Sequence, residues 1–507
     1  MNNLTRACAT YAFLVIGWIF LVIVHTNCAS RVASTASKRP NVIWIIPDDM
    51  SANFSCYGET AIQTPHVDRL AARGVKFTNA YVTAPVCSPC RSAFITGMYQ
   101  TTIGSHHHRS GRGVRKIALP EGVKLVPQLF KDAGYFTTLS GWPISPNKLG
   151  KSDYNFEWDT AVYNGSDWSQ RKEGQPFFAQ IQTPGGKLRG AHPEQWEKVC
   201  EQAAKRLGSQ TPSEAVDLPP YYPPDPDIVK DWQAYLESVR LTDAMVGEVI
   251  ERLKAEGVLD NSYVLFMTDH GISHARGKQF LYDEGIHVPL IITGPDIPSG
   301  SIREDLVEHI DIAALSLGLA GIEVPKVMQG RHILGPDYIP REAVFAARDR
   351  CDETIDHIRS VRTQRYKYIR NFLSYRPYLQ PNAYKDAKAI LIALRRCKQR
   401  GELDDVQMLH FSQRRPMEEL YDLSSDPYEI HNLAEDPGHG EILLAMRQRL
   451  DSWMEETDDK GRQSESIEMY DSDMALYLDR LKGRFPKRLQ VIEENIALMK
   501  KWSIEGR

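Results

Sequence analysis

The sequence has no basic block of the kind that neutralises a nucleic-acid backbone. Its 61 Lys plus Arg stand against 65 Asp plus Glu in 507 residues, a net charge of -4, so nucleic acid is not an expected partner. The apolar run at the N-terminus, Tyr11 to Val24, falls short of the roughly 20 residues that a spanning helix needs. Cysteine is sparse: there are eight, with Cys8 and Cys28 in the first thirty residues and Cys56, Cys87, Cys90, Cys200, Cys351 and Cys397 irregularly spaced beyond them. That spacing excludes a disulfide framework. Only Cys87 and Cys90 lie close together, without the second pair that a zinc site wants. No internal repeat is present.

What is there begins with a leader. Met1 to Arg6, the apolar run, and then small and polar residues including Cys28-Ala29-Ser30 follow the order of a secretory signal peptide over residues 1–30. The chain is therefore expected to be exported to a periplasmic, secreted or lysosome-like compartment. His25-Thr26-Asn27 lacks the residues that usually precede a lipidated cysteine, so Cys28 is not read as an anchor.

The length suits two or three domains, or one large α/β domain with a smaller partner. Val42–Ile46 and Tyr263–Met267 are short unbroken apolar runs, the pattern of strands buried on both faces of a parallel sheet. Ile228, Trp232, Leu236, Val239, Val246, Ile250 and Leu253 recur at helical spacing before Gly257, so a helix feeds the second strand. Phe177–Ile181 and Val288–Ile292 are further strand candidates. Segment 209–227, rich in proline, reads as a surface excursion. The fold class is α/β, a large mixed, mostly parallel sheet sandwiched by helices over residues 39–340. A smaller α+β subdomain is expected over 341–460, with strands at Val344–Ala347 and Tyr366–Ile369, and a helical tail over 461–507.

Two acidic clusters, Asp48-Asp49 and Asp269-His270, fall at the carboxyl ends of predicted strands, where open α/β sheets bind ligands. Adjacent carboxylates repel unless a cation or hydrogen bonds stabilise them, and a solvated turn is the plain alternative. Between the clusters lies Pro85-Val86-Cys87-Ser88-Pro89-Cys90-Arg91-Ser92-Ala93-Phe94-Ile95-Thr96-Gly97. Ser88 can cap a helix and Pro89 suits its first turn, which puts Cys87 just ahead of exposed N–H groups that attract an anion. Arg91 adds a permanent charge and fixed donors suited to an oxyanion. On spacing alone, Cys87 and Cys90 are equally a redox pair, half of a zinc site, or two packed cysteines.

The run CSPCRSAFITG resembles the sulfatase signature, a Cys-x-Pro-x-Arg core in which the cysteine is converted to formylglycine. PNVIWIIPDDM, VLFMTDHG, RSVRTQRYKYIRN and ELYDLSSDPYEIHNLAEDP are also similar to that family, so the resemblance spans most of the chain. It is nearest the N-sulfoglucosamine sulfohydrolase-like branch. The resemblance implies an alkaline-phosphatase-like fold, a formylglycine-generating maturation enzyme as partner, a sulfated carbohydrate substrate, and a metal held by Asp48, Asp49, Cys87, Asp269 and His270. Calcium is the ion it implies. His270 stands where the family commonly has Asn, and an imidazole suits transition metals better.

Lys151 and Lys278 match sulfate-binding lysines of the family, with Lys148 competing for the register of the first. Asp153 and Lys187 stand where histidines are usual, which leaves the proton donor to the leaving group unassigned. His106, His107 and His108 are expected at the pocket mouth, and Asp349 and Arg350, with Arg348, Asp352 and Glu353, at the sugar. His274 and His287 are weaker candidates. In the implied mechanism, hydrated formylglycine at position 87 attacks sulfur, the alcohol or amine leaves, and sulfate is then released. Two rivals are a phosphonate or phosphodiester hydrolase of the same superfamily and a glycan-binding homologue without catalysis. Whether the bond is an O-sulfate or an N-sulfate, and the oligomeric state, are not fixed by these residues.

Overall fold

A computed structural model describes residues 39–506. The expected signal peptide, residues 1–30, lies outside the described residues. From Pro40 onward the described chain forms one unit built on two main sheets.

The first sheet contains β1 (Asn41–Pro47), β2 (Val75–Phe77), β4 (Phe136–Gly141), β5 (Ser145–Leu149), β6 (Phe177–Thr183), β7 (Ser262–Met267), β8 (Leu290–Thr293) and β9 (Ser301–Arg303), and β3 (Ala80–Tyr81) pairs separately with β10 (Val307–Glu308). The order across the large sheet is β5-β4-β6-β1-β7-β8-β2-β9. Strands β4, β6, β1 and β7 run parallel at its centre. The segment expected at Val288–Ile292 is strand only from Leu290, and it runs antiparallel to both β7 and β2.

Every residue of β1 is buried, which explains its unbroken apolar sequence. Val42, Trp44 and Ile46 face a core shared with Phe94, Phe130 and Leu315. Ile43 and Ile45 face another shared with Tyr235, Leu236 and Val239 of the helix Pro226–Ala255. This is the period-2 alternation of a strand covered on both sides. The one polar atom carried in by Trp44, its Nε1–H, donates to Ser316 Oγ at 2.8 Å, so the ring is buried at no cost in unsatisfied donors.

The second sheet is antiparallel: β11 (Val344–Arg348), β12 (Ile358–Arg362), β13 (Tyr366–Asn371) and β14 (Glu418–Asp422), paired in sequence order. The helix Gly440–Glu456 covers it through Leu450 and Trp453 packed on Val361, Tyr368 and Leu420. Two last helices, Ile467–Leu481 and Pro486–Ile504, share a small core of Tyr470, Met474, Ile492, Met499 and Trp502.

Segment 209–227 is more than a surface excursion. Tyr221 and Tyr222 are buried, and both phenols donate to Glu284, at 3.1 Å from Tyr222. Two rings that each find a polar partner bury readily, and the prolines shape the path rather than expose it.

Candidate active site

Because β6, β1 and β7 are parallel neighbours, their carboxyl ends open on the same edge. Asp48 and Asp49 follow β1, and Asp269 and His270 follow β7. The two loops are stitched together: Asp269 N–H donates to Pro47 O (3.1 Å), Met50 N–H to His270 O (3.0 Å), and Asp49 N–H to Asp269 Oδ1 (2.9 Å). The loop after β6 closes the third side, with Gly186 N–H on Asp48 O at 2.8 Å. Gly185 has φ +52°, and a Cβ there would run into the backbone O and N of Asp48. Only glycine permits that approach, and it brings Lys187 over the carboxylates.

The helix Cys87–Thr96 points its N-terminus into this junction, and all its residues are buried. The helix begins at Cys87 itself, with Val86 as the flanking residue and no side-chain cap. The expectation that Ser88 caps the helix is therefore corrected. Its hydroxyl instead accepts the N–H of Arg109 at 2.8 Å, which pins loop 105–112 over the helix start. Cys87 meets the uncapped N–H groups at the positive end of the helix dipole.

Arg91 is completely buried and all three of its nitrogens are engaged. Nε and Nη2 donate to Asp269 Oδ2 at 3.2 and 3.1 Å, Nη2 also to Asp48, and Nη1 to Gln182 and to Lys151 O (3.2 Å). It clamps two carboxylates rather than presenting free donors, and their charges hold its proton more tightly than usual despite burial.

Three lysines converge from separate loops. Lys278 Nζ lies 3.1 Å from both Cys87 Sγ and Asp49 Oδ1. Lys187 Nζ binds Asp48 and stands 3.8 Å from Cys87 Sγ. Lys151 Nζ is 3.1 Å from Asp48 Oδ2 and 3.4 Å from Asp153 Oδ2. Lys148 is exposed on β5, and of the two it is Lys151 that reaches Asp48. Burial would raise the proton affinity of the Cys87 thiol, but Lys151, Lys187, Lys278 and His270 outweigh it and pull its pKa down to about 5. Burial likewise opposes ionisation of Asp48 and Asp49. The cations around them still hold both well below the usual carboxylate range. The pocket stabilises negative charge at position 87.

Donor atoms of Asp49, Cys87, Asp269 and His270 all lie within 4.8 Å of one another, a set able to hold a metal ion. His270 Nδ1 is 2.9 Å from Gly271 O. A carbonyl only accepts, so Nδ1 carries the hydrogen and Nε2 faces Cys87 Sγ at 3.2 Å and Asp49 Oδ1 at 3.3 Å, the orientation of a ligand histidine. Asp48 stands beside this set, its oxygens turned to Arg91, Lys151 and Lys187. Strain gathers here too: Asp49, Arg109, Asp153, Gln279 and Asp352 all have positive φ, rare for residues with a side chain and typical of functional sites.

The residues expected at the pocket mouth are mostly committed to protein partners. His106 packs against His107 with centroids 4.2 Å apart and the rings tilted by 53°, and burial takes its pKa down to about 3. His107 Nδ1 accepts Arg350 N–H at 3.3 Å. Arg350 binds Glu465 (2.7 Å) and Asp473 (2.6 Å) from the C-terminal segment, and Asp349 binds Arg359 (3.1 Å). Arg348 pairs with Asp356. All of these groups but the half-buried Glu465 are buried, so the geometry has them joining the second sheet to loop 105–112 and the tail. His108 Nδ1 lies 3.0 Å from Asp352 Oδ1, and Glu353 takes the Ala383 N–H. Asp153 is held ionised by Lys151 and Arg112 despite its burial. His274 pairs with Asp231, and His287 with Thr78 O.

Two residues beside this centre carry no signal in the sequence analysis: Gln182, and Tyr384, whose ring centroid lies 5.3 Å from Lys278 Nζ. Gln182 lies one residue beyond the run Phe177–Ile181 read as strand, near the end of β6 (Phe177–Thr183), and accepts from Arg91 Nη1. Tyr384 has no pattern around it.

The architecture defines the class first: an alkaline-phosphatase-like α/β fold with an anion-stabilising, metal-capable centre at its strand ends. Residues 40–322 match the family described as Sulfatase, and residues 270–386 the one described as N-sulphoglucosamine sulphohydrolase, C-terminal. The chain belongs to the sulfatase family. It is 32% identical over 471 residues to an ulvan-active sulfatase of Formosa agariphila, covering 85% of this chain and 77% of that one. It is 27% identical over 471 residues to the N-sulphoglucosamine sulphohydrolase of Homo sapiens, covering 83% and 90%. A solved structure of a protein in complex with its substrate D-glucosamine-2-N,6-O-disulfate superimposes with TM-score 0.56 at 19% identity, over 83% of this chain and 99% of that one.

Proposed function

We propose that this sulfatase is exported and removes a sulfate group from a short sulfated carbohydrate, using residue 87, converted from cysteine to formylglycine, as nucleophile. The observation that carries this reading is the convergence of Lys187, Lys278 and a helix N-terminus on one buried atom, Cys87 Sγ, with the charge of Lys151 close by. That atom marks where an oxygen of formylglycine would stand. Fixed cations around the reacting group favour the charge that grows on sulfuryl oxygens during transfer.

The donor set fits a divalent ion: two carboxylates from Asp49 and Asp269, an imidazole from His270, and residue 87. Oxygen donors favour calcium, and such an ion would make the nucleophile at position 87 easier to deprotonate. This chain's own residues do the rest. Arg91 orients Asp48 and Asp269, Asp48 fixes Lys151 and Lys187, and Lys278 bridges the nucleophile and Asp49. Export is supported by the leader pattern in residues 1–30.

The test is sulfate release, by ion chromatography, from ulvan oligosaccharides and from N-sulfated glucosamine by protein co-produced with a maturation enzyme. Release from either is expected. Release from neither, with phosphate set free from an aryl phosphate instead, overturns the reading.

A further inference from the structure

A sugar alcohol or amine is a poor leaving group and needs a proton as its bond to sulfur breaks. In the centre described above, Lys151, Lys187 and Lys278 each hold their ammonium against Asp48 or Asp49, Asp153 lies between Lys151 and Arg112, and His270 faces the metal-binding set. None is placed as a free acid.

One further hydroxyl-bearing ring stands beside this centre, that of Tyr384. Segment 382–389 is fastened on three sides. Asn382 Nδ2 donates to Cys351 O (3.2 Å) and Thr354 Oγ1 (2.9 Å). The buried Lys385 ammonium donates to His274 O (3.0 Å) and Ala275 O (3.2 Å). Ala389 N–H donates to Ala191 O (3.0 Å). At the centre of this strap Tyr384 is half-buried, with its phenol 3.1 Å from Ser273 Oγ. Two ammonium groups approach its ring, Lys278 Nζ at 5.3 Å and Lys388 Nζ at 4.8 Å from the centroid. The Lys278 ammonium is the one that touches Cys87 Sγ.

We propose that Tyr384 is the proton donor to the leaving group, a role that rests on the sulfatase reading above. As residue 87 takes the sulfuryl group, the bond from sulfur to the sugar oxygen or nitrogen breaks and its electron pair stays on the sugar atom. The Tyr384 O–H gives that atom its proton, and the phenolate left beside Lys278 and Lys388 regains one from water. Burial alone would weaken the phenol as an acid, but the two ammonium groups outweigh it and lower its proton affinity. The fastened strap keeps the donor in place, as a catalytic group requires.

Tyr384→Phe removes one oxygen and keeps the ring, and its melting temperature is measured to show that the fold is retained. Matured wild type and variant are compared on 4-nitrophenyl sulfate, whose leaving group needs little help from a proton, and on phenyl sulfate, whose leaving group is more basic. The expected result is a loss in kcat/KM of about 10²-fold on phenyl sulfate and less than about threefold on 4-nitrophenyl sulfate. Equal losses on both, or none on either, overturn the assignment. If the wild type cleaves a glycan fragment and neither aryl ester, the fragment gives the readout. There a roughly 10²-fold fall in kcat at nearly constant KM supports the role, and a rise in KM alone overturns it. A wild type that releases sulfate from no substrate fails the sulfatase reading itself.

Discussion

Two clusters of buried charge, built from the same residue types, have different fates. Around Arg350 and Arg359, each guanidinium is matched by carboxylates: Glu465 and Asp473 for the first, Asp349 and Asp459 for the second. Around Cys87, Arg91 is matched in the same way, yet Lys187 and Lys278 also reach Cys87 Sγ, with the donor set of Asp49, Asp269 and His270 beside it. The first cluster ties segments together. The second keeps cations aimed at one buried atom, Cys87 Sγ, rather than at carboxylates alone.

The sharpest way to break the comparison is at the nucleophile. Cys87→Ala is expected to cut sulfate release by about 10⁴-fold or more while the melting temperature stays near that of the wild type, and retained turnover would remove residue 87 from the chemistry. Lys278→Ala is next, with an expected fall in kcat of about 10²–10³-fold. In the structural cluster the order reverses. Arg350→Ala leaves Glu465 and Asp473 buried without their partner and is expected to cost about 3–5 kcal/mol in denaturant unfolding, with kcat of the folded fraction within about threefold. A collapse of kcat at unchanged stability would move Arg350 into the substrate site.

The smallest expected effect concerns pH. Burial pushes the Asp349 carboxyl up to about 7, Asp459 adds to this, and Arg359 only partly offsets it. Between about 4, the ordinary value in the unfolded chain, and about 7, the folded protein holds a proton that the unfolded chain has released. Stability from this group therefore falls as pH rises through that window. Asp349→Asn removes the dependence, so urea midpoints at pH 5 and pH 7.5 should differ less in the variant than in the wild type. An equal difference in both would rule out Asp349 as its source.

The same contrast explains what could be read in advance. Strands β1 and β7 announce themselves by unbroken apolar runs, and the carboxylates at their ends follow from where parallel strands stop. The helix at Cys87 is legible from its local residues, although not its first residue, because Ser88 is claimed by Arg109 from twenty-one positions away. Long-range pairing also hid the roles of Asp349 and Arg350, whose charge run looks the same whether solvated, sugar-facing or buried. Tyr384 was invisible for a related reason: its importance comes from a strap held by residues 191, 274 and 351, and no local spacing encodes that.

The account stands on residue 87, and the most direct measurement is mass spectrometry of the peptide carrying it, from protein made with and without a maturation enzyme, alongside sulfate release from the same samples. The expected result is a mass corresponding to an aldehyde in place of the thiol, with activity rising in proportion to the converted fraction. Full activity from protein whose Cys87 is an unmodified thiol would contradict it.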